Sequence, residues 1–466
     1  MTKKTFPSPL KIVSMMLVFY CYTFPASAQF LRTSFLINDA HYRMQLNPAL
    51  TPEQGYVDIP VIGNFNLAIS SNTLGNQDIL DIFSNNKAGS NLTSDALYDH
   101  MKNSNWINLA LNTEFISFGW WKGENFWSFN TGLRLDMGAQ IPKKMFSLLR
   151  DFQDTDNIDW TNFKMDIGGE SFNINAYTEL GLGYARQINE DLTVGGKVKL
   201  LLGIGNLNMQ INDVFIETKN LDGDLTDLET WQKGGYGKVK VDAIFESSFA
   251  GMKTVMDTKT GAMTGYEFDN YGIAGYGGAI DLGVAYRFTD DMTISAALND
   301  IGFINWSKES NTFLSVDTER EYNVNNYDDF TDIVDNGDLF NYNLFGFQHE
   351  EKSNSRTTSL YSTFTAGFEY ELLDDKVTFG ALSTTRMLEP KSQTELTFSA
   401  AYRLKRILSL AASYSVIQSA GKSVGLALKL GPLFVGTDYM YFGKSTNVFN
   451  AFLGISVPLA GKRKNT

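Results

Sequence analysis

Three histidines, His41, His100 and His349, are the first residues to weigh for chemistry, because an imidazole titrates near neutrality and ligates metals. None stands in a His-Glu-x-x-His pair, and no Gly-x-Ser-x-Gly elbow offers a nucleophile. A hydrolase built from His100 or His349 and a loop serine has no motif behind it, and the histidines read as isolated surface residues. Gly181-x-Gly183 is followed by strand-type residues, not by a nucleotide-binding helix. Asp154-x-Asp156-Asn157-x-Asp159 spaces oxygen ligands as a Ca²⁺ loop does, but lacks the glycine and closing glutamate. Asp222-x-Asp224 with Asp227 and Glu229 is equally incomplete, and both stretches fit solvated acidic loops. The expectation is a protein that is not an enzyme and carries no metal or cofactor site.

A second set of charges has a different logic. Glu114, Arg134, Asp136, Glu179, Lys197, Lys199, Asp281, Glu369 and Lys429 stand singly, several of them among glycine and alanine, at alternate positions of otherwise apolar segments. Between residues 277 and 299, Ile280, Leu282, Val284 and Tyr286 share one strand face, while Asp281, Gly283, Ala285 and Arg287 share the other. A polar turn, Thr289-Asp290-Asp291, precedes a second arm with Met292, Ile294 and Ala296. Likewise Ile107, Leu109, Leu111, Thr113 and Phe115 oppose Asn108, Asn112 and Glu114, and Val194, Val198, Leu200 and Leu202 oppose Lys197 and Lys199. Apolar residues toward lipid and small or charged ones toward a wet interior specify a membrane-spanning β-barrel. The interior charges then either tune passage through the lumen or pair to fill and stiffen it.

Connection lengths give the topology. Short links fall at residues 121–125, 189–191, 289–291, 373–375, 405–406 and 431–432, and long polar ones at 71–105, 141–171, 206–271 and 303–358. With a first strand near 57–69 running outward, every short link lies on the periplasmic side and every long one outside. The fold class is all-β, a transmembrane antiparallel barrel of about 14 strands (12 to 16) with long extracellular loops and an N-terminal plug. Residues 207–272 supply either an extracellular β-ribbon or an extra strand pair, and the ribbon is the reading adopted. The barrel occupies residues 55–460 and a basic tail 461–466, with both termini periplasmic.

Residues 1–28 read as a secretory leader. Lys3, Lys4 and Lys11 precede an apolar core, and Ala26-Ser27-Ala28 supplies the cleavage site. Cleavage removes Cys21, the only cysteine, and excludes disulfides and thiol chemistry. No later apolar run reaches the roughly 20 residues of a membrane helix. Formal charge is −13; loss of the three leader lysines leaves 36 basic against 52 acidic residues, or −16, which opposes nucleic-acid binding. Aromatic content of 13% and 40 glycines suit aromatic girdles and a small-residue interior. The outer membrane is the expected location, with its lipid as the first partner.

Between leader and barrel, residues 29–54 contain Leu46-Asn47-Pro48-Ala49-Leu50-Thr51-Pro52, whose prolines exclude a regular strand. Asn47, Pro48 and Ala49, placed before a chain of alternating strands, resemble the FadL-like outer-membrane barrel superfamily. The continuation Gly55-Tyr56-Val57-Asp58-Ile59-Pro60 and the stretch 67–72 look like an uncharacterised Bacteroidetes family of that type. The resemblance implies a hatch inside a barrel of about 14 strands, with Asn47, Pro48 and Ala49 as hatch residues and a small hydrophobic molecule as cargo. The same tripeptide also suits a turn closing the barrel floor. Related barrels serve as partners in envelope secretion or motility machinery, so a channel and a docking barrel both follow. The C-terminus departs from many barrels, running past Val457-Pro458-Leu459 into a basic tail and not ending on an aromatic residue.

Overall fold

The computed structural model describes residues 31–60, 62–73, 75, 98–99, 101–151, 160–220, 235–256, 263–269, 272–323, 348–349, 355–373, 375–387, 392–404, 407–417, 422–439 and 448–462. The leader, His100, the two acidic stretches near 154–159 and 222–229, the 405–406 link and the end of the basic tail lie outside these residues.

Alternation becomes a closed cylinder. In chain order the wall is β1 (Gln54–Asp58 and Asn64–Ser71), β2 (Ser104–Lys122), β3 (Asn125–Pro142), β4 (Glu170–Gln187) and β5 (Leu192–Lys219). It continues through β6 (Gly275–Thr289), β7 (Met292–Trp306), β8 (Thr363–Leu372), β9 (Val377–Arg386) and β10 (Gln393–Leu404). β11 (Leu408–Ile417), β12 (Ser423–Leu430), β13 (Leu433–Thr437) and β14 (Val448–Lys462) complete it. Each strand pairs antiparallel with the next, and β14 pairs with both pieces of β1, so 14 strands close the barrel. Closure satisfies the backbone hydrogen bonds that lipid cannot. Leu182, Val198, Leu200, Leu282, Phe364, Phe398, Leu426 and Phe449 point out of the cylinder, where an apolar belt must meet acyl chains. Trp127 and Tyr184 meet at a tilt of 56° with ring centroids 4.7 Å apart near the short-turn end, and the Tyr184 hydroxyl donates to Asn125 at 2.7 Å. An amphipathic ring suits that level, with its body in lipid and its tip in water.

A break and several bulges interrupt the expected alternation, most sharply at β1 and β2. The first strand is not continuous over 57–69, because pairing stops between Asp58 and Asn64. Opposite the break, β2 bulges between Glu114 and Ile116, so Phe115 does not continue the lipid-facing series begun at Ile107. A bulge adds one residue and flips the facing of everything beyond it, so Ile116 and Trp120 turn outward and Ser117 inward. Across the break, the Ile59 amide donates to the Ile455 carbonyl at 3.0 Å and the Ile455 amide to the Ile62 carbonyl at 3.2 Å.

The long-connection end carries extra sheet. β5 is a single 28-residue strand whose distal half leaves β6 and pairs with Tyr236–Phe249, which pairs in turn with Asn311–Asn323. Lys164–Ile167 lies on the other side of β5. One face of this projecting sheet gathers Val214, Val241, Ala243 and Val316. The other carries a charge ladder, with Lys238 reaching Glu319 and Glu321 and Lys240 reaching Asp213. Residues 207–272 therefore contribute to a sheet of more than two strands.

Candidate functional site

Inside the cylinder sit residues 31–50. Two 3₁₀ turns, Arg32–Leu36 and His41–Gln45, fold this segment, and Leu31 opens it in the left-handed region at φ 65°. Short 3₁₀ turns suit a stretch too brief and too interrupted for an α-helix. Leu31, Phe35, Leu36, Ile37, Tyr42, Leu46 and Leu50 are all buried, packed with Ala285, Leu382, Ala401, Ala411, Ala427, Phe434 and Phe452 from the wall. The Tyr42 ring stacks on Phe434 at 4.3 Å.

Glycines make the seat. Gly195 of β5 and Gly283 of β6 are directly opposed across their ladder. A Cβ at Gly195 would stand 2.5 Å from the Pro48 carbonyl, and one at Gly283 would strike the Asn47 carboxamide and lie 2.8 Å from Pro48 Cδ. Phe35 meets Gly367 and Leu36 meets Gly380 in the same manner, and Tyr42 covers Gly454. Only a residue without a side chain permits such close approach. Asn47 Nδ2 donates to the Val284 and Ala296 carbonyls at 3.2 and 3.1 Å, and its Oδ1 accepts from the Ala49 amide at 2.9 Å. Asn299 Nδ2 donates to the Leu46 carbonyl at 2.8 Å. Asn47, Pro48 and Ala49 thus sit against the inner wall at the β5–β6–β7 sector.

Polar clamps hold the other sectors. Arg32 pairs with Glu395 at 2.8 Å and donates to Ser415 at 2.7 Å, while the Thr33 amide donates to Asp438 at 2.7 Å. Arg43 pairs with Glu369 at 2.5 Å and also bonds Asn38. Lys429 pairs with Asp39 at 2.8 Å. Gln45 donates to Glu114 at 3.2 Å and accepts from Asn112. His41, read from sequence as a surface residue, is buried: Nε2 lies 3.0 Å from Asp58, and its ring stacks on Tyr56 at 3.7 Å. The Tyr42 hydroxyl donates to the Gly63 carbonyl at 2.8 Å. His41 and Tyr42 therefore brace the break in β1 from within.

The remaining lumenal charges lie beside and above the plug. Arg134 pairs with Glu179 at 3.1 Å, and Lys199 with Asp281 at 2.8 Å and Asp300 at 2.6 Å. Lys197 lies over the Gly181–Gly183 face, its Cδ 3.1 Å from where a Gly181 Cβ would stand. Arg386 of β9 reaches Asp136 of β3 at 2.6 Å, joining two strands that are not neighbours and so crossing the lumen. Sequence alternation missed Asp300, which sits at a β7 bulge with φ 58°, and Arg386 at a strand end. It also missed Arg32, Asp39, His41, Arg43, Asp58, Glu395 and Asp438. Those in the plug have no period to reveal them; the opposite-sign wall residues that await a partner were the available signal.

Among the described residues, no three His, Cys, Asp or Glu side chains gather to hold a metal ion.

Residues 48–438 match the profile described as "Family of unknown function (DUF5723)". Among solved structures the chain is similar to the Pseudomonas putida toluene transporter TodX, at 11% identity and TM-score 0.38 over 91% of this chain and 95% of that one. A TodX monoaromatic hydrocarbon channel deltaS2 mutant gives 10% and 0.40 over 93% and 96%, and a Pseudomonas aeruginosa FadL homologue 10% and 0.32 over 93% and 98%. Likeness of that order says nothing of what this barrel handles. No curated protein matches.

Proposed function

The chain belongs to the DUF5723 family, a family of unknown function, and we propose that it is a gated outer-membrane channel for a small solute, shut by its own N-terminal plug. The observation that carries this reading is how the plug is held. Among the described residues, its backbone-to-backbone hydrogen bonds close on itself, and bonds that involve a side chain, with the glycine seats, join it to the wall. A segment built into the sheet would leave only by breaking the ladder; one held by side chains can shift while the cylinder stays closed. Short turns at one end and long connections at the other support a periplasmic plug end and an external sheet, with a leader cleaved near Ala28 and periplasmic termini.

Movement of the plug would uncover walls of unequal charge. From β2 to β7 the lining is charged, and from β8 to β12 Thr, Ser and Ala, as in Thr397, Ser399, Ala411 and Ser413, surround Glu369, Glu395 and Lys429, the charges that hold the plug. The hydrophobic cargo implied by the resemblance finds apolar lining mainly where the plug itself packs. Movement would also strip His41 and Tyr42 from the break in β1. The test is conductance of the purified protein in planar bilayers, intact and with residues 31–50 deleted. Deletion should open steady conductance in a barrel that still shows a heat-modifiable gel shift. A folded, deleted barrel that conducts nothing refutes the channel.

A docking role has one observation in its favour, the projecting sheet with its charge ladder. Lys238→Glu with Lys240→Glu should then abolish a specific envelope complex and leave conductance unchanged.

A further inference from the structure

Above the plug, toward the long-connection end, the inner wall changes character. Register places Asp136, Asn175, Asn206 and Ser248 in one row across β3, β4, β5 and the neighbouring projecting strand. The next row holds Gly138, Asn173, Asn208 and Glu246. Four carboxamides therefore form a block, with Asn175 opposite Asn206 and Asn173 opposite Asn208. Opposed Cβ atoms in such a ladder lie about 5 Å apart, and successive same-face residues roughly 7 Å.

Three of these carboxamides are incomplete. Asn175 is 4% exposed and Asn206 7%, yet the Oδ1 atoms of Asn175, Asn206 and Asn208 are buried with no hydrogen-bond partner. A buried acceptor without a donor costs about 1–3 kcal/mol, so native walls seldom keep three together. Turning the Asn206 or Asn208 amide does not relieve it, because Asn206 Nδ2 already donates to the Ile174 carbonyl at 3.0 Å and Asn208 Nδ2 to Glu246 at 3.5 Å. The unmet groups are acceptors, so a ligand that completes them brings donors.

The charges alongside say which donors. Asp136 is matched by Arg386 at 2.6 Å and Glu246 by Arg356 at 3.4 Å, so the block itself is neutral and a cation gains no uncompensated carboxylate. Tyr177, the next inward position along β4, is buried in a cluster with Leu201, Ile304 and Trp306 and bounds the block on its plug side. Amide acceptors spread over one ring's width fit alcohol hydroxyls.

We propose that Asn173, Asn175, Asn206 and Asn208 form a binding site for a neutral, hydroxyl-rich solute about the size of one sugar ring. The proposal rests on the lumen being a solute path and makes that solute polar. Its test is saturation-transfer NMR on the full, plugged protein in detergent, with glucose as the polar probe and toluene as the apolar one. Glucose should give a saturable signal, weakened at least tenfold by Asn175→Ala with Asn206→Ala and retained in Ser399→Ala, a lumenal hydroxyl on β10. Asn175→Ser, which keeps a polar group, provides a milder variant should the double one lose its heat-modifiable gel shift. No saturable glucose signal, equal signals in all variants, or toluene binding that the same substitutions remove would each overturn it. Conductance after plug deletion without glucose binding defeats this site alone; glucose binding without conductance defeats the channel alone.

Discussion

Replacing Gly195 with valine should unseat the plug while leaving the wall intact. Valine favours strands, and the pairing of β5 with β4 and β6 makes no demand on that side chain. Inside, however, its Cβ would stand 2.5 Å from both the carbonyl carbon and oxygen of Pro48 and 2.7 Å from the Ala49 nitrogen. Backbone cannot yield as a flexible side chain can, so residues 47–49 must lift. Lifting breaks the two Asn47 bonds to Val284 and Ala296 and the Asn299 bond to Leu46. At about 0.5–1.5 kcal/mol each, these three sum to roughly 1.5–4.5 kcal/mol. With tenfold per 1.4 kcal/mol, the seated population relative to the unseated one falls by roughly 12-fold to about 1,600-fold. Single-channel recording in planar bilayers reads this as a rise in open probability. Gly278→Val is the control on β6, since a Cβ there meets only the Lys199 carbonyl, at 3.6 Å. If both variants record as the parent does, while both show a folded-barrel gel shift, then seating at Gly195 does not hold the lumen shut.

Arg43→Ala should lower thermal stability by about 3–5 kcal/mol, because it leaves the buried Glu369 carboxylate without its cation. Adding Glu369→Gln should recover most of that loss in the same melting experiment. Arg386→Ala removes the bar to Asp136, and should raise conductance in a Gly195→Val background but not in a seated barrel; paired bilayer recordings check this. On the projecting sheet, the hydrogen bond from Lys238 holds the Glu319 carboxyl below its usual range. A depressed acid stabilises the folded sheet above its unfolded pKa and loses that contribution as pH falls through the folded one. Amide protection factors at Val239 and Val241, taken relative to the intrinsic exchange rate at each pH, should therefore drop only below about pH 4, and high salt should reduce the difference.

What the sequence displayed was whatever lipid demands. A two-residue period survives along β4, β5 and β6 because every outward position meets acyl chains, so Glu179, Lys197, Lys199 and Asp281 could be assigned inward from their neighbours alone. The short links at 121–125, 189–191, 289–291 and 431–432 were equally plain. Bulges were not, since one extra residue at Phe115 or a left-handed Asp300 leaves no mark in composition yet reverses facing. Gly195 and Gly283 read as small interior residues; that they are seats required knowing where Pro48 lies. His41 was misjudged because its partner Asp58 lies beyond two prolines, on a wall piece whose break has no sequence period.

β5 has a further consequence. One continuous strand, bulged at Ile204 and Asn212, carries Gly195 beside the plug, Lys197 and Lys199 at mid-depth, Asn206 and Asn208 higher up, and then a tip near Lys219. At about 3.3 Å per residue it is longer than any bilayer is thick. The projecting sheet and the seat around Pro48 are therefore two ends of one strand, joined through its two bulges with no loop between them.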